Sequence, residues 1–143
     1  MRWFWAVVFL ALTASACRAQ EPAGKCSPAY QNNNNVDHGP LVFRNLSGYD
    51  IDPASVRMAG GCIGLFTEED HRLVAATAAD QDGNFSFAAV VPGRYRLVVD
   101  FRGYCAANVP LRIVRWPRGG WRRKLVVHMS VGHIDTCSVG DYK

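Results

Sequence analysis

The stretch TAADQDGNFSFAAVVPGRYRLVVDFRGY, residues 77–104, decides how this chain folds. Its clearest part is RYRLVVDFR, residues 94–102. Tyr95, Leu97, Val99 and Phe101 alternate there with Arg94, Arg96, Asp100 and Arg102, and only Val98 interrupts the polar set. Period two with one polar face describes an antiparallel strand over a core. Just upstream, VPG (residues 91–93) marks a turn, and FSF places Phe85 and Phe87 on one face. Asp82-Gly83 is a favoured hairpin dipeptide, because glycine accepts positive φ. DQDG also opens like a calcium loop, but no further acid follows until Asp100. A hard cation wants six or more oxygens, several of them from acids at set intervals. The turn reading therefore stands.

The same texture continues on both sides. In KLVVHMSV, residues 124–131, Leu125, Val127, Met129 and Val131 oppose Lys124, His128 and Ser130. NVPLRIVRW, residues 108–116, sets Val109, Leu111 and Ile113 against Arg112. Further strands are expected over residues 41–45, 55–58, 62–66 and 73–78. TEEDHRL has a cap-like Thr67 but is too short for a secure helix. Short strands spaced about ten residues apart and punctuated by Gly and Pro predict an all-β fold, an antiparallel seven-stranded β-sandwich. It should occupy residues 39–137, with a tail over 138–143.

The chain has 143 residues, room for one domain. It begins MRWFWAVVFLALTASACRAQ, where a charge at Arg2 precedes an apolar run from Trp3 to Leu12 and small residues follow. Residues 1–19 are thus expected to be a secretory signal, too short to span a bilayer. A cut after Ala16 or Ala19 would release a soluble protein. ASAC also resembles a lipoprotein signal, in which Cys17 would carry lipid. Residues 20–38, with the run QNNNN, read as a polar tether that buries little. With Cys17 removed or lipidated, Cys26, Cys62, Cys105 and Cys137 remain, and two disulfides are expected for an exported domain. Three connectivities are open. The strand over residues 94–101 ends near Cys105, and two further strands running back and forth would return Cys137 to that pole. This favours Cys105 with Cys137 and Cys26 with Cys62.

Residues 77–104 resemble the carboxypeptidase regulatory-like domain, a transthyretin-like β-sandwich of Greek-key type. That family shows a D-x-D-G-x-F turn, a P-G-x-Y turn and a strand ending in G-Y or G-F. Here these are Asp80, Asp82, Gly83 and Phe85, then Pro92, Gly93 and Tyr95, then Gly103 and Tyr104. SGYDIDPASVRM, residues 47–58, is a looser match through Ala54 and Val56. Cys62, Cys105 and Cys137 depart from the general pattern and suggest an exported subgroup. The resemblance implies a non-catalytic folding, adhesion or carbohydrate-binding-like module of the bacterial envelope, with no cofactor.

No His-x-x-Glu zinc motif and no G-x-S-x-G elbow occur. His128 and His133 lie five apart, on opposite faces of an undistorted strand. With Asp135 they would form a metal-dependent enzyme site only if the chain turned after Val131. RIVRWPRGGWRRK, residues 112–124, holds six cations and no acid, and reads as strand, turn, strand with PRGG at the tip. Removing Arg2 and Arg18 leaves fourteen cations against twelve acids, so the basicity is local. Indole faces stack on sugar rings, and guanidinium groups pair bidentately with carboxylate or phosphate. Trp116, Arg118, Trp121, Arg122 and Arg123 are therefore the candidate ligand-binding residues. The expected partners are an acidic glycan, an envelope surface or a protein. Nucleic acid is not expected for an exported chain, and membrane contact is expected only through lipid on Cys17. The sequence thus predicts an exported binding or structural module, periplasmic, secreted or lipoprotein, with a carbohydrate-binding accessory module as its alternative.

Overall fold

The computed structural model describes residues 26–31, 39–116 and 124–131. Ten strands follow one another within them: β1 (Leu41–Phe43), β2 (Leu46–Ile51), β3 (Cys62–Thr67), β4 (Leu73–Ala78), β5 (Asn84–Phe87), β6 (Gly93–Asp100), β7 (Tyr104–Cys105), β8 (Ala107–Ile113), β9 (Leu125–His128) and β10 (Ser130–Val131). One sheet has the order β1-β8-β6-β3-β4 and the facing sheet the order β5-β2-β9, while β10 and β7 form a small third pair. The sandwich is the expected all-β fold, with three differences of topology. β1 pairs parallel with β8, and β2 parallel with β9. Residues 41–51 begin at the edge of the first sheet and continue as the centre of the second, bending at Arg44 and Asn45. The strand expected over residues 55–58 is reduced to one isolated bridge, Arg57 with Ile51, after a turn at residues 53–54, and β2, not expected as a strand, carries the central position. Pro53 has no N–H to give a ladder, and Asp52 Oδ1 accepts from Val56 N at 2.8 Å.

The residues between the sheets follow the alternation. Tyr95, Leu97 and Val99 of β6 meet Val109, Leu111 and Ile113 of β8 and Ile63 and Leu65 of β3 in one buried cluster. From the second sheet come Leu46, Phe85, Phe87, Leu125 and Val127. Gly48 lies on the same face of β2, and only glycine fits: a Cβ there would stand 2.2 Å from Leu125 O and 2.8 Å from the Phe85 ring.

The three motifs of the sequence resolve into three turns. Asp80 Oδ1 accepts from Asp82 N at 2.9 Å and Asn84 N at 2.8 Å. Gly83 takes φ 75°, where a side chain would also press on the Met58 backbone. β4 and β5 belong to different sheets, so this turn is no hairpin; it carries the chain across the sandwich. The Tyr95 phenol donates to Val91 O at 2.6 Å and so closes the VPG turn from the first residues of β6. Gly103, at φ 88°, lets Tyr104 N reach Phe101 O at 3.0 Å.

Val98 is the residue that broke the alternation, and it is fully buried on the outer face of the first sheet. In register with it stand Gly64 of β3 and Asn108 of β8. Residues 26–31, which fall in the stretch read as a polar tether, lie over this row. Cys26 is bonded to Cys62, the expected pairing. Pro28 is buried, and its Cγ would stand 2.4 Å from a Cβ placed on Gly64. Gln31 O accepts from Asn108 Nδ2 at 2.7 Å, which lets an amide be 99% buried. Tyr30 meets the Phe66 ring edge-on and stacks on His71 at 3.9 Å. Cys105 is also disulfide-bonded; its expected partner Cys137 lies outside the described residues.

The segment makes a stability prediction. Cys26→Ser/Cys62→Ser removes a crosslink spanning 36 residues, and denaturant unfolding should show a loss of about 2–4 kcal/mol. Gly64→Ala should cost the intact protein about 1–3 kcal/mol by overpacking against Pro28. In the double serine variant the segment can lift, so the same glycine substitution should cost less. Strict additivity in this cycle would contradict a segment seated on Gly64.

Candidate functional site

One pole of the sandwich collects the β1–β2 bend, the β3–β4 and β5–β6 turns, the end of β8 and the start of β9. Trp116, just past β8, is 75% exposed there. The Arg44 guanidinium lies 5.6 Å from its ring centroid, at the limit of a cation–π contact. A shallow cleft of about 530 Å³ runs from Trp116 to Pro92, walled by Arg94, Arg112 and Arg115. A second cleft of about 350 Å³ shares Pro92, Ile113, Val114 and Arg115 with it and extends to Arg44 and Asn45.

The cleft's cations come from strand register. Tyr95, Leu111 and Ile113 point into the core, so Arg94 and Arg112 point outward. They are direct partners across β6 and β8, with Val42 of β1 next in the row. The neighbouring outward row has Arg96, which donates through Nε to Glu68 Oε1 at 3.1 Å and forms an ion pair with it through Nη2 at 3.0 Å. Among the described residues no carboxylate lies within 4 Å of Arg94, Arg112, Arg115 or Arg44. Arg94 and Arg112 were legible as outward residues of their strands. Their pairing was not, because it follows from the β6–β8 register.

Of the residues predicted for ligand binding, Trp116 is at this pole; Arg118, Trp121, Arg122 and Arg123 lie outside the described residues. The expected hairpin is corrected: β8 belongs to the five-stranded sheet and β9 to the three-stranded one, so the basic stretch links the two sheets. The alternating pattern on both sides of PRGG is satisfied by two strands that face each other across the core. For the metal-site alternative, His128 lies on β9 beside Ile51, its Nε2 buried and without a partner among the described residues. His133, Asp135 and the lipidation candidate Cys17 lie outside them.

No protein-family model matches the chain, and no curated protein does. Solved structures do match. The 5-hydroxyisourate hydrolase of Klebsiella pneumoniae is 17% identical, with a TM-score of 0.50 over 73% of this chain and 97% of that one. A dioxygenase domain from a dioxygenase carbohydrate-binding protein fusion of Streptomyces sp. SirexAA-E is 14% identical, with a TM-score of 0.41 over 72% and 89%. The 3-chlorocatechol 1,2-dioxygenase of Rhodococcus opacus 1CP is 9% identical, with a TM-score of 0.40 over 76% and 68%. At these identities the likeness concerns architecture alone, and it makes the fold transthyretin-like.

The opposite pole holds a group that alternation concealed. Asp50 shares the inward face of β2 with Leu46 and Gly48 and is 1% exposed. Neither carboxyl oxygen has a hydrogen-bond partner among the described residues. A Cβ on Gly61 would lie 3.4 Å from Oδ2, with the Phe101 ring beside it. Burial pushes the carboxyl up to about 7, because a desolvated carboxylate is penalised in its charged form. The folded state therefore holds this proton more tightly than the unfolded chain does. The acid form is present in both states below about pH 4, and stability falls as pH rises from there to about 7. Asp50→Asn should remove that slope. Its advantage over the parent should grow across this interval to a few kcal/mol, on the order set by the shift, and level off above it. Parallel stability–pH curves for the two proteins would show that Asp50 is ionised in the fold at no cost.

Proposed function

We propose that this protein is a non-catalytic binding module of the bacterial cell envelope, and that the Trp116 pole is its contact surface. The observation that carries this reading is the exposed indole beside arginines that have no carboxylate within 4 Å among the described residues. A large aromatic ring in water contributes nothing to the sandwich, whereas aromatic and arginine side chains together are favoured at binding surfaces. The family resemblance points the same way, since its motif residues act here as turn residues of the scaffold. Export is supported by the apolar signal-like start of the chain and by the Cys26–Cys62 disulfide, which suits a non-reducing compartment. Whether the protein is soluble or held by lipid on Cys17 follows from how that start is processed.

The test is cosedimentation of the purified protein with cell-envelope material, comparing Trp116→Ala with the parent. Trp116 is largely outside the core, so its removal should leave the thermal midpoint within about one degree and reduce retention on the envelope about tenfold or more. Undiminished retention of the variant would place the contact elsewhere on the molecule.

A further inference from the structure

We infer that the ligand is a carboxylate-bearing polysaccharide, with Arg94 and Arg112 as its acid-reading pair and Trp116 as the ring platform. This rests on the binding role assigned to the Trp116 pole and goes further by naming the ligand chemistry and two residues outside the basic 118–123 run. Like charges directly opposite on neighbouring strands destabilise a sheet, yet Arg94 and Arg112 occupy such positions. Paired positions in an antiparallel ladder stand roughly 4.5–5.5 Å apart at Cα, so both guanidinium groups can address one carboxylate. Bidentate geometry favours a planar acid over a diffuse negative surface. Arg96 shows the contrast one row away, where Glu68 already neutralises it.

The distances suit an elongated ligand. Trp116 lies four residues beyond Arg112, a span of at most roughly 14 Å of chain, and the 530 Å³ cleft joins the two. A sugar ring stacked on the exposed indole leaves the next residues of the polymer over the arginine row. Charge complementarity selects an acidic sugar there. The cleft is open, and Trp116 is the exposed large apolar side chain in its lining. That suits a chain of hydroxylated rings better than insertion into lipid, which needs a broad apolar face.

The experiment measures binding of the full purified protein to oligogalacturonate, to the same oligomer with its carboxyls reduced, and to phosphatidylglycerol vesicles. Oligogalacturonate should bind in a saturable, salt-sensitive manner, and the carboxyl-reduced oligomer about tenfold more weakly or worse. Arg94→Ala/Arg112→Ala should lose about tenfold or more for the acidic oligomer, with an unchanged or higher thermal midpoint. Arg94→Lys/Arg112→Lys keeps the charge but loses the fork, so most of that loss should persist.

Equal binding of both oligomers, unaffected by the arginine variants but abolished by Trp116→Ala, would overturn the acid-reading pair and leave the envelope module standing. Vesicles bound in preference to either oligomer would replace the glycan with a membrane surface. Failure of both oligomers, with envelope retention still lost in Trp116→Ala, would also overturn the glycan alone. Envelope retention that ignores Trp116 would remove the underlying reading as well.

Discussion

The structure depends on how the outer face of β6 is covered. A two-layer sandwich shelters one face of each sheet, and β6 places an apolar side chain on its otherwise polar outer face: Leu97 and Val99 face the core, while Val98 faces out. A third layer is needed over Val98, and residues 26–31 supply it. The layer is thin because the row beneath it has a glycine at its centre. Gly64 lets Pro28 approach the backbone itself, and the Cys26–Cys62 bond holds the segment in register without a further strand. The amide nitrogen of buried Asn108 is satisfied by the same segment, since it finds its acceptor in Gln31 O, which lowers the cost of burying the side chain.

Much of the scaffold was legible in the sequence. β6 could be read from alternation, and the Asp80–Gly83, Val91–Gly93 and Gly103 turns from residues whose backbone or hydrogen-bonding needs are local. β2 was not legible. Its sequence LSGYDI has a glycine where a close approach is required and an aspartate on its inward face, and both are depleted in strands. Long-range packing overrides that propensity. The segment over β6 escaped for a similar reason: CSPAYQ has a polar, turn-rich composition, and its few apolar atoms find a specific surface. The parallel pairings of β1 with β8 and β2 with β9 depend on which sheet each strand joins, and alternation does not encode that choice.

The candidate site was legible in part, and the division is physical. Trp116 and the basic composition around it stand out because neither suits a core. The Arg94–Arg112 pair does not stand out, because each arginine looks like an ordinary solvent-facing residue of an amphipathic strand. Only register brings them together. Asp50 is the converse case, since its neighbours in sequence, Tyr49 and Asp52, make it look exposed while the sheet turns it inward. The two poles thus differ in kind. One buries a carboxyl in an apolar setting and closes its turns with Asp52 and Asp80; the other displays Arg94, Arg112 and Arg115 in one cleft beside the acidic β3–β4 turn.

The cover and the open row are consequences of one arrangement. Residues 26–31 cross the outer face from Cys62 at one end of β3 to Phe66 near the other, where Tyr30 packs. Glu68 then satisfies Arg96 in the Phe66 row. In the following row Arg94 and Arg112 form no ion pair among the described residues, and it is the row that opens toward Trp116. On the β3 side Glu68 stands across from Arg94, its N–H donating to Arg94 O at 3.3 Å, but its carboxylate is turned to Arg96, and on the β8 side Arg94 meets Arg112. Two opposed arginines at the margin of a covered face are costly in isolation and favourable once an anion lies between them. The sheet is therefore covered by its own chain over Val98, and the row beyond it has the charge and the ring that the proposed ligand would engage.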